Sequence, residues 1–326
     1  MKFVTVKHQG KEFPGVLNPH ETGVHFLTEI LGDKAPNSLL GFIQHMENHR
    51  ERKRDTDHKK SMGVEEEIES AGNPSRENDA IERISRYIND PEKIPVPLDQ
   101  CRILAPIPRP LRNIICLGMN YRDHVEELKG SDGKPRPIPT VPVYFGKMAS
   151  EITGPGGTIE LHPEATDSVD YEVELAAVIG KGGRNISPEK AYDHIFGYSI
   201  MNDVTARDLQ GKHQQFIRGK SLDSFTIMGP AILYRDEVEV PVELNLQCEV
   251  NGELRQSSNT RNFIFDLPYV ISDFSKGTTL QAGDIIATGT PGGVGKGFTP
   301  PKYLQRGDRV ICKIEKIGTL WNVVEE

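Results

Sequence analysis

The sequence predicts a mostly β fold with some α: a rolled or barrel-like domain over 103–326, preceded by a small N-terminal α+β domain over 1–102. Three observations predict it. Short apolar runs recur from Ile103 onward, among them NIICLGM (113–119), VYFGKM (143–148), YEVELAAVIG (171–180), FGYSIMND (196–203), DIIATGT (284–290) and RVICKIEKIGTLW (309–321). Gly, Pro, Asn and Asp punctuate them, which is turn chemistry between strands. Helical spacing is confined to YRDHVEELK (121–129), SPEKAYDHI (187–195) and FDLPYVISDFSKG (265–277), so strand and helix do not alternate strictly.

The elements follow in order. MKFVTVKHQGKEFPGVLN reads as two strands about a turn, and LLGFIQHM as the apolar face of a helix. Residues 47–99 are mostly charged or polar, with both signs interleaved; they read as a solvated helix plus a linker. Asn251-Gly252 is a hairpin signal between two strands. No GxGxxG follows a strand, and GKGGRN (180–185) lacks the Lys-Ser/Thr of a P-loop, so a dinucleotide or P-loop site is not indicated.

Composition narrows the function classes. The 326 residues carry 39 Lys+Arg and 47 Asp+Glu, a formal net charge of −8. That balance disfavours nucleic acid and an anionic membrane surface as partners. It does not disfavour a small anionic substrate, because a metal or a few local cations reverse the field inside one cleft. No run approaches the ~20 apolar residues of a membrane span, and the N-terminus has no apolar signal core. The four cysteines form no CxxC, which reads as reduced thiols in a cytoplasmic protein.

The chemistry concentrates in a few segments. In DYEVELAAVIGK, Glu172 and Glu174 share one strand face, with Asp170 on that face if the strand extends so far. Adjacent carboxylates repel unless one is protonated or a cation sits between them. The pattern fits either an exposed acidic strand face or a hard divalent ion held by carboxylates. Asp203 closes an apolar strand and offers a third oxygen ligand, or else caps the turn at Val204. Arg207 and Gln210 would share a helical face with it. Lys220 alone reads as a surface lysine. His124 and Glu127, spaced i, i+3, could form a carboxylate–imidazole dyad or an ordinary surface pair. Thr288, Thr290 and the Gly292-Gly293 N–H groups could hold a carboxylate or oxyanion, or simply make a turn.

Taken together, IICLGMNYRDHVEE, DYEVELAAVIGK, IFGYSIMNDVTARDLQ, RGKSLD, VNGELRQSS and LQAGDIIATGTPGGVGKG resemble the fumarylacetoacetate hydrolase family. The resemblance runs from about Ile103 to the C-terminus. It implies a mixed sheet rolled about a central helix and a homodimer. It implies Mg²⁺ or Mn²⁺ held by Glu172, Glu174 and Asp203, with Lys220 nearby. His124 and Glu127 are then the dyad of a lid helix, and Tyr121, Arg207, Gln210 and Thr290 are expected at a small anionic oxo-acid. Met119 stands before Asn120-Tyr121, where many relatives acting on short oxo-acids carry Lys or Arg. The implied activity is metal-dependent hydrolysis of a C–C bond in a β-diketo acid of the fumarylacetoacetate or acylpyruvate type. Oxaloacetate decarboxylation and 2-oxo-acid isomerisation are the alternatives on the same site. A metal-binding interaction protein is a further one.

Overall fold

A computed structural model describes residues 1–32, 35–47, 76–127 and 137–326. Most of the charged stretch read as a solvated helix and linker, and the end of YRDHVEELK, lie outside the described residues. The N-terminal strands are β1 (Lys2–His8), β2 (Lys11–Leu17), β3 (Gly23–Phe26), β4 (Val96–Pro97) and β5 (Arg102–Ile103). The helices among them are α1 (Leu27–Leu31), α2 (39–47) and α3 (Arg76–Ile88). Then come β6 (Ile114–Gly118), α4 (Arg122–Glu127), β7 (Val143–Lys147), β8 (Thr158–Glu160), β9 (Val169–Asp170) and β10 (Val173–Ile179). They are followed by β11 (Ile195–Asp203), β12 (Thr205–Ala206), α5 (Arg207–Lys212), α6 (Ile217–Lys220) and β13 (Thr226–Tyr234). The C-terminal part holds β14 (Asn245–Val250), β15 (Glu253–Asn259), α7 (Leu267–Ser275), β16 (Ile285–Ala287), β17 (Arg309–Ile314) and β18 (Gly318–Glu325).

The strands form an 11-stranded sheet in the order β4-β3-β2-β1-β13-β11-β10-β16-β6-β7, with β5 also paired to β1. A five-stranded sheet runs β15-β14-β17-β18-β8, and β9 pairs with β12. The fold is therefore mostly β with some α, as expected, but the large sheet ends at β4 and β7 and does not close into a barrel. Nor is residue 102 a gap between sheets. β1 is hydrogen-bonded to β13 through Lys2↔Leu233 and Phe3↔Ile232, so the N-terminal strands continue the sheet that carries the rest.

Burial explains the strand chemistry. All seven residues of β10 are buried, because both of its faces are covered, and its sequence is accordingly a near-continuous apolar run. Val173, Leu175, Ala177 and Ile179 pack with Leu246, Cys248, Cys312 and Leu320 of the five-stranded sheet. Ala176 and Val178 face the other way, with Phe3, Phe42 and Ile84 of the N-terminal region. In β14 and β17 burial alternates instead, as one solvated face requires. Asn251 and Gly252, at φ 53° and 82°, form the two-residue turn of the β14–β15 hairpin. SPEKAYDHI is a run of 3₁₀ turns (Pro188–His194) rather than an α-helix; extended Ile195 ends it and begins β11.

The alternation also places the acidic residues. Glu174 follows Ala176 and Val178 onto one face of β10. Asp203 lies at the end of antiparallel β11, where Asn202 pairs with Val173. The start of one strand and the end of its neighbour thus bring both carboxylates to one end of the sheet.

Candidate active site and metal centre

One oxygen from each of Glu172, Glu174 and Asp203 can be chosen so that all three lie within 4.8 Å of one another. All three residues are buried. Among the described residues no other such group of His, Cys, Asp and Glu side chains occurs. Glu172 and Glu174 border a cavity of about 260 Å³ whose wall also includes Met119, His124, Phe145, Arg207, Gln210, His213, Phe216, Lys220, Thr290 and Lys296. An exposed acidic strand face is thereby excluded.

Three buried cations serve this end of the sheet. Lys220 donates to Glu172 Oε2 at 2.7 Å and to Asp203 Oδ2 at 2.6 Å. Arg207 pairs with Glu172 Oε1 and Asp170 Oδ2, both at 2.7 Å. Lys147 donates to Asp203 Oδ1 at 2.6 Å and to the Val204 carbonyl at 2.9 Å. Burial alone would raise the Glu172 pKa, but Lys220 and Arg207 outweigh it and hold the carboxyl at about 2. Glu174 differs. Burial, then the charges of Asp203 and Glu172, push its pKa well above the ordinary value. Among the described residues no ion pair reaches it; the Gly289 N–H donates to its Oε2 at 2.8 Å.

This donor set fits a hard divalent ion. It is all carboxylate oxygen, buried, and one member has no cation bonded to it, so an added cation would relieve the repulsion around Glu174. Glu172, Glu174 and Asp203 would hold it.

Several sequence expectations change in detail. Asp203 does not cap a helix: β12 follows it, and both of its oxygens face lysines. Arg207 and Gln210 therefore share a helical face with each other on α5, not with Asp203, and Arg207 Nη1 donates to Gln210 Oε1 at 3.2 Å. Lys220 is 2% exposed, not a surface residue. Thr288 and Thr290 donate their hydroxyl protons to the carbonyls of Leu175 and Val173, so neither is left to donate to an oxyanion. The Gly293 N–H does hold a carboxylate, but it is that of Glu127. Tyr121 is fully buried and does not line the cavity; its ring lies edge-on to Phe263.

His124 and Glu127 come together on α4. His124 is buried and borders the cavity; its Nδ1 lies 3.5 Å from Glu127 Oε2. That separation aligns the pair but is longer than a formed hydrogen bond, and Nδ1 has no other partner. Such contacts often tighten only with substrate bound.

Two residues that sequence reasoning passed over complete the site. Lys147 ends an apolar strand, and a single charge in VYFGKM was the available signal. Gln256 is fully buried. It donates to Thr290 Oγ1 and the Pro291 carbonyl, at 2.8 and 2.9 Å, and accepts from Val173 N at 3.0 Å. Nothing in LRQSS separates it from its surface neighbours.

A buried three-carboxylate centre at the end of a curled sheet, beneath a short helix carrying a His–Glu pair, defines a class of candidate metal-dependent enzymes. The family model for the fumarylacetoacetate (FAA) hydrolase C-terminal domain matches residues 113–325, and the chain belongs to that family. It is 52% identical over 227 residues to the oxaloacetate tautomerase YisK of Bacillus subtilis (strain 168), covering 70% of this chain and 74% of that protein. The structure of a fumarylacetoacetate hydrolase from psychrophilic Exiguobacterium antarcticum is similar with a TM-score of 0.77 and 38% identity, covering 100% of this chain and 99% of the other. Maleylpyruvate hydrolase from Sphingobium sp. SYK-6, in complex with manganese(II) and pyruvate, is similar with a TM-score of 0.66 and 26% identity, over 100% and 99% of the chains. Among the described residues, no helix is long and apolar enough to cross a membrane. The four cysteines are free.

Proposed function

We propose that the protein is a Mg²⁺- or Mn²⁺-dependent enzyme of 2-oxo-acid enolate chemistry, and that its reaction is the keto–enol tautomerisation of oxaloacetate. The observation that carries the reading is the buried Glu172–Glu174–Asp203 cluster opening on a cavity that His124 also borders. The tautomerase relative at 52% identity favours this reaction over the others.

When bound, the divalent ion would supply Lewis-acid stabilisation of charge on the 2-oxo oxygen. The chain's own residues account for the rest. Arg207 and Gln210 face the cavity as donors for the oxo-acid end. Lys220 places a second positive charge there, its pKa raised because Asp203 and Glu172 outweigh the cost of burial. Glu127 faces Nδ1 of His124 and orients the ring, leaving Nε2 to take the proton from C3 of the substrate. As that C–H bond breaks, its electron pair becomes the C2–C3 double bond, and the 2-oxo oxygen takes up the charge and then the proton that His124 has taken, which returns the imidazole to its starting state. No water is consumed.

A second reading is C–C hydrolysis of a fumarylacetoacetate- or acylpyruvate-type acid, supported by the manganese- and pyruvate-bound maleylpyruvate hydrolase. There His124 would take its proton from water instead of carbon. Purified protein given oxaloacetate and acetylpyruvate, with Mn²⁺ and with chelator, separates the two. Faster loss of the enol absorbance of oxaloacetate, without pyruvate formation, supports tautomerisation. Acetate and pyruvate released from acetylpyruvate move the assignment to hydrolysis. Inertness toward both rules out the proposal.

A further inference from the structure

Lys147 and Asp203 lie on strands separated by β6, β16 and β10 in the large sheet. Four strand spacings in a flat sheet would set them about 19 Å apart, yet Lys147 Nζ is 2.6 Å from Asp203 Oδ1. The sheet curls until its edge strand β7 reaches over the end of β11, and this ion pair closes the curl. Both partners are fully buried.

The two oxygens of Asp203 face different surroundings. Oδ1 points to Lys147, which does not border the cavity and is also tied to the Val204 carbonyl. Oδ2 points to Lys220, which does border the cavity and whose Nζ lies 5.2 Å from the centre of the Phe145 ring. A cation arriving through the cavity therefore competes with Lys220 and not with Lys147.

We propose that Lys147 is the positioning residue of the metal centre: it keeps one oxygen of Asp203 whether or not a divalent ion is bound, while Lys220 gives up its bridge between Asp203 and Glu172 and turns its ammonium to the substrate. The inference rests on the reading of Glu172, Glu174 and Asp203 as the metal ligands. It adds a division of labour between two lysines that both bond Asp203. Partners that orient metal ligands commonly alter affinity 10–100-fold when removed.

The test compares Lys147→Met with Lys220→Met by calorimetric titration with Mn²⁺. Each variant removes one positive charge near the ion, so the charge effect largely cancels between them. Lys147→Met is expected to bind Mn²⁺ at least tenfold more weakly than Lys220→Met. Equal affinities, or the reverse order, overturn the inference while leaving the metal centre standing. Failure of the wild-type protein to bind Mn²⁺ removes the metal centre and the inference with it. Should Lys147→Met fail to fold, the wild-type protein labelled with ¹⁵N-lysine decides the matter. Mg²⁺ should move the Lys220 ammonium resonance, assigned from the Lys220→Met spectrum, and leave that of Lys147 in place; movement of Lys147 with Lys220 unmoved would overturn it.

Discussion

Both carboxylate oxygens of Glu127 accept the backbone N–H of Gly293, each at 3.0 Å, so the helix that carries His124 is latched to the glycine loop beside the cavity. Gly293 sits at φ +95°, and a Cβ there would lie 1.9 Å from the Arg255 carbonyl oxygen; the loop is shaped for glycine at this point. A hydrogen bond to a charged group contributes about 1.5–3 kcal/mol. Glu127→Ala is therefore expected to speed amide exchange across Arg122–Glu127 and to lower turnover at least tenfold, with Mn²⁺ affinity unchanged. A large loss of Mn²⁺ affinity would show that Glu127 belongs to the metal centre instead.

Glu172 and Glu174 should respond in opposite ways to the same substitution. Glu172→Gln leaves Lys220 and Arg207 short of a buried counter-charge, and breaking a buried pair in this way costs about 3–5 kcal/mol. Glu174→Gln replaces a group that the metal-free fold already prefers neutral, so the melting temperature of chelated protein should move little. The same variant should lose most of the stabilisation that wild-type protein gains from Mn²⁺. Thermal melts of both variants with chelator and with Mn²⁺ check the contrast; matching losses without metal would contradict it.

Much of this site is legible in the sequence because strand periodicity is strict. Glu172 and Glu174 two apart, and Asp203 at the end of an apolar run, are local patterns. Lys147 and Gln256 are not legible in that way. Their roles depend on a long-range curl of the sheet and on a hairpin reaching across to β10, and neither leaves a local pattern. The Thr290 hydroxyl is hard to read for a related reason. The motif displays a hydroxyl, but only the fold shows that its proton goes to Val173. The N-terminal strands were recognisable as strands, but pairing of β1 with β13 joins segments more than two hundred residues apart.

The displaced Glu174 pKa gives metal binding a pH dependence of definite sign. The folded metal-free protein favours the neutral acid, so stability from this group is present below the ordinary glutamate pKa of 4.5 and is lost as pH rises toward the raised value. A divalent ion requires the carboxylate, so binding expels that proton and tightens as pH rises through the same range. Calorimetry of Mn²⁺ binding in two buffers of different ionisation enthalpy should show net proton release that Glu174→Gln abolishes. Equal heats in both buffers for the wild-type protein would mean that Glu174 is already ionised.

Gln256 tests whether the threonine loop is held from behind. Its side chain satisfies the buried Val173 N–H and spans to Thr290 and Pro291, tying β10, β15 and the loop together within one residue of Glu172 and Glu174. Gln256→Leu keeps much of the volume but leaves the Val173 N–H without its partner. Such a group costs about 1–3 kcal/mol when buried unpaired. Denaturant unfolding should show a loss of that size. The KM for oxaloacetate should rise more than kcat falls, because Thr290 lines the cavity while the His124–Glu127 pair is untouched. A variant that lowers kcat at unchanged KM would place the role of Gln256 in the chemical step, and one that leaves both unchanged would show that the loop keeps its place without it.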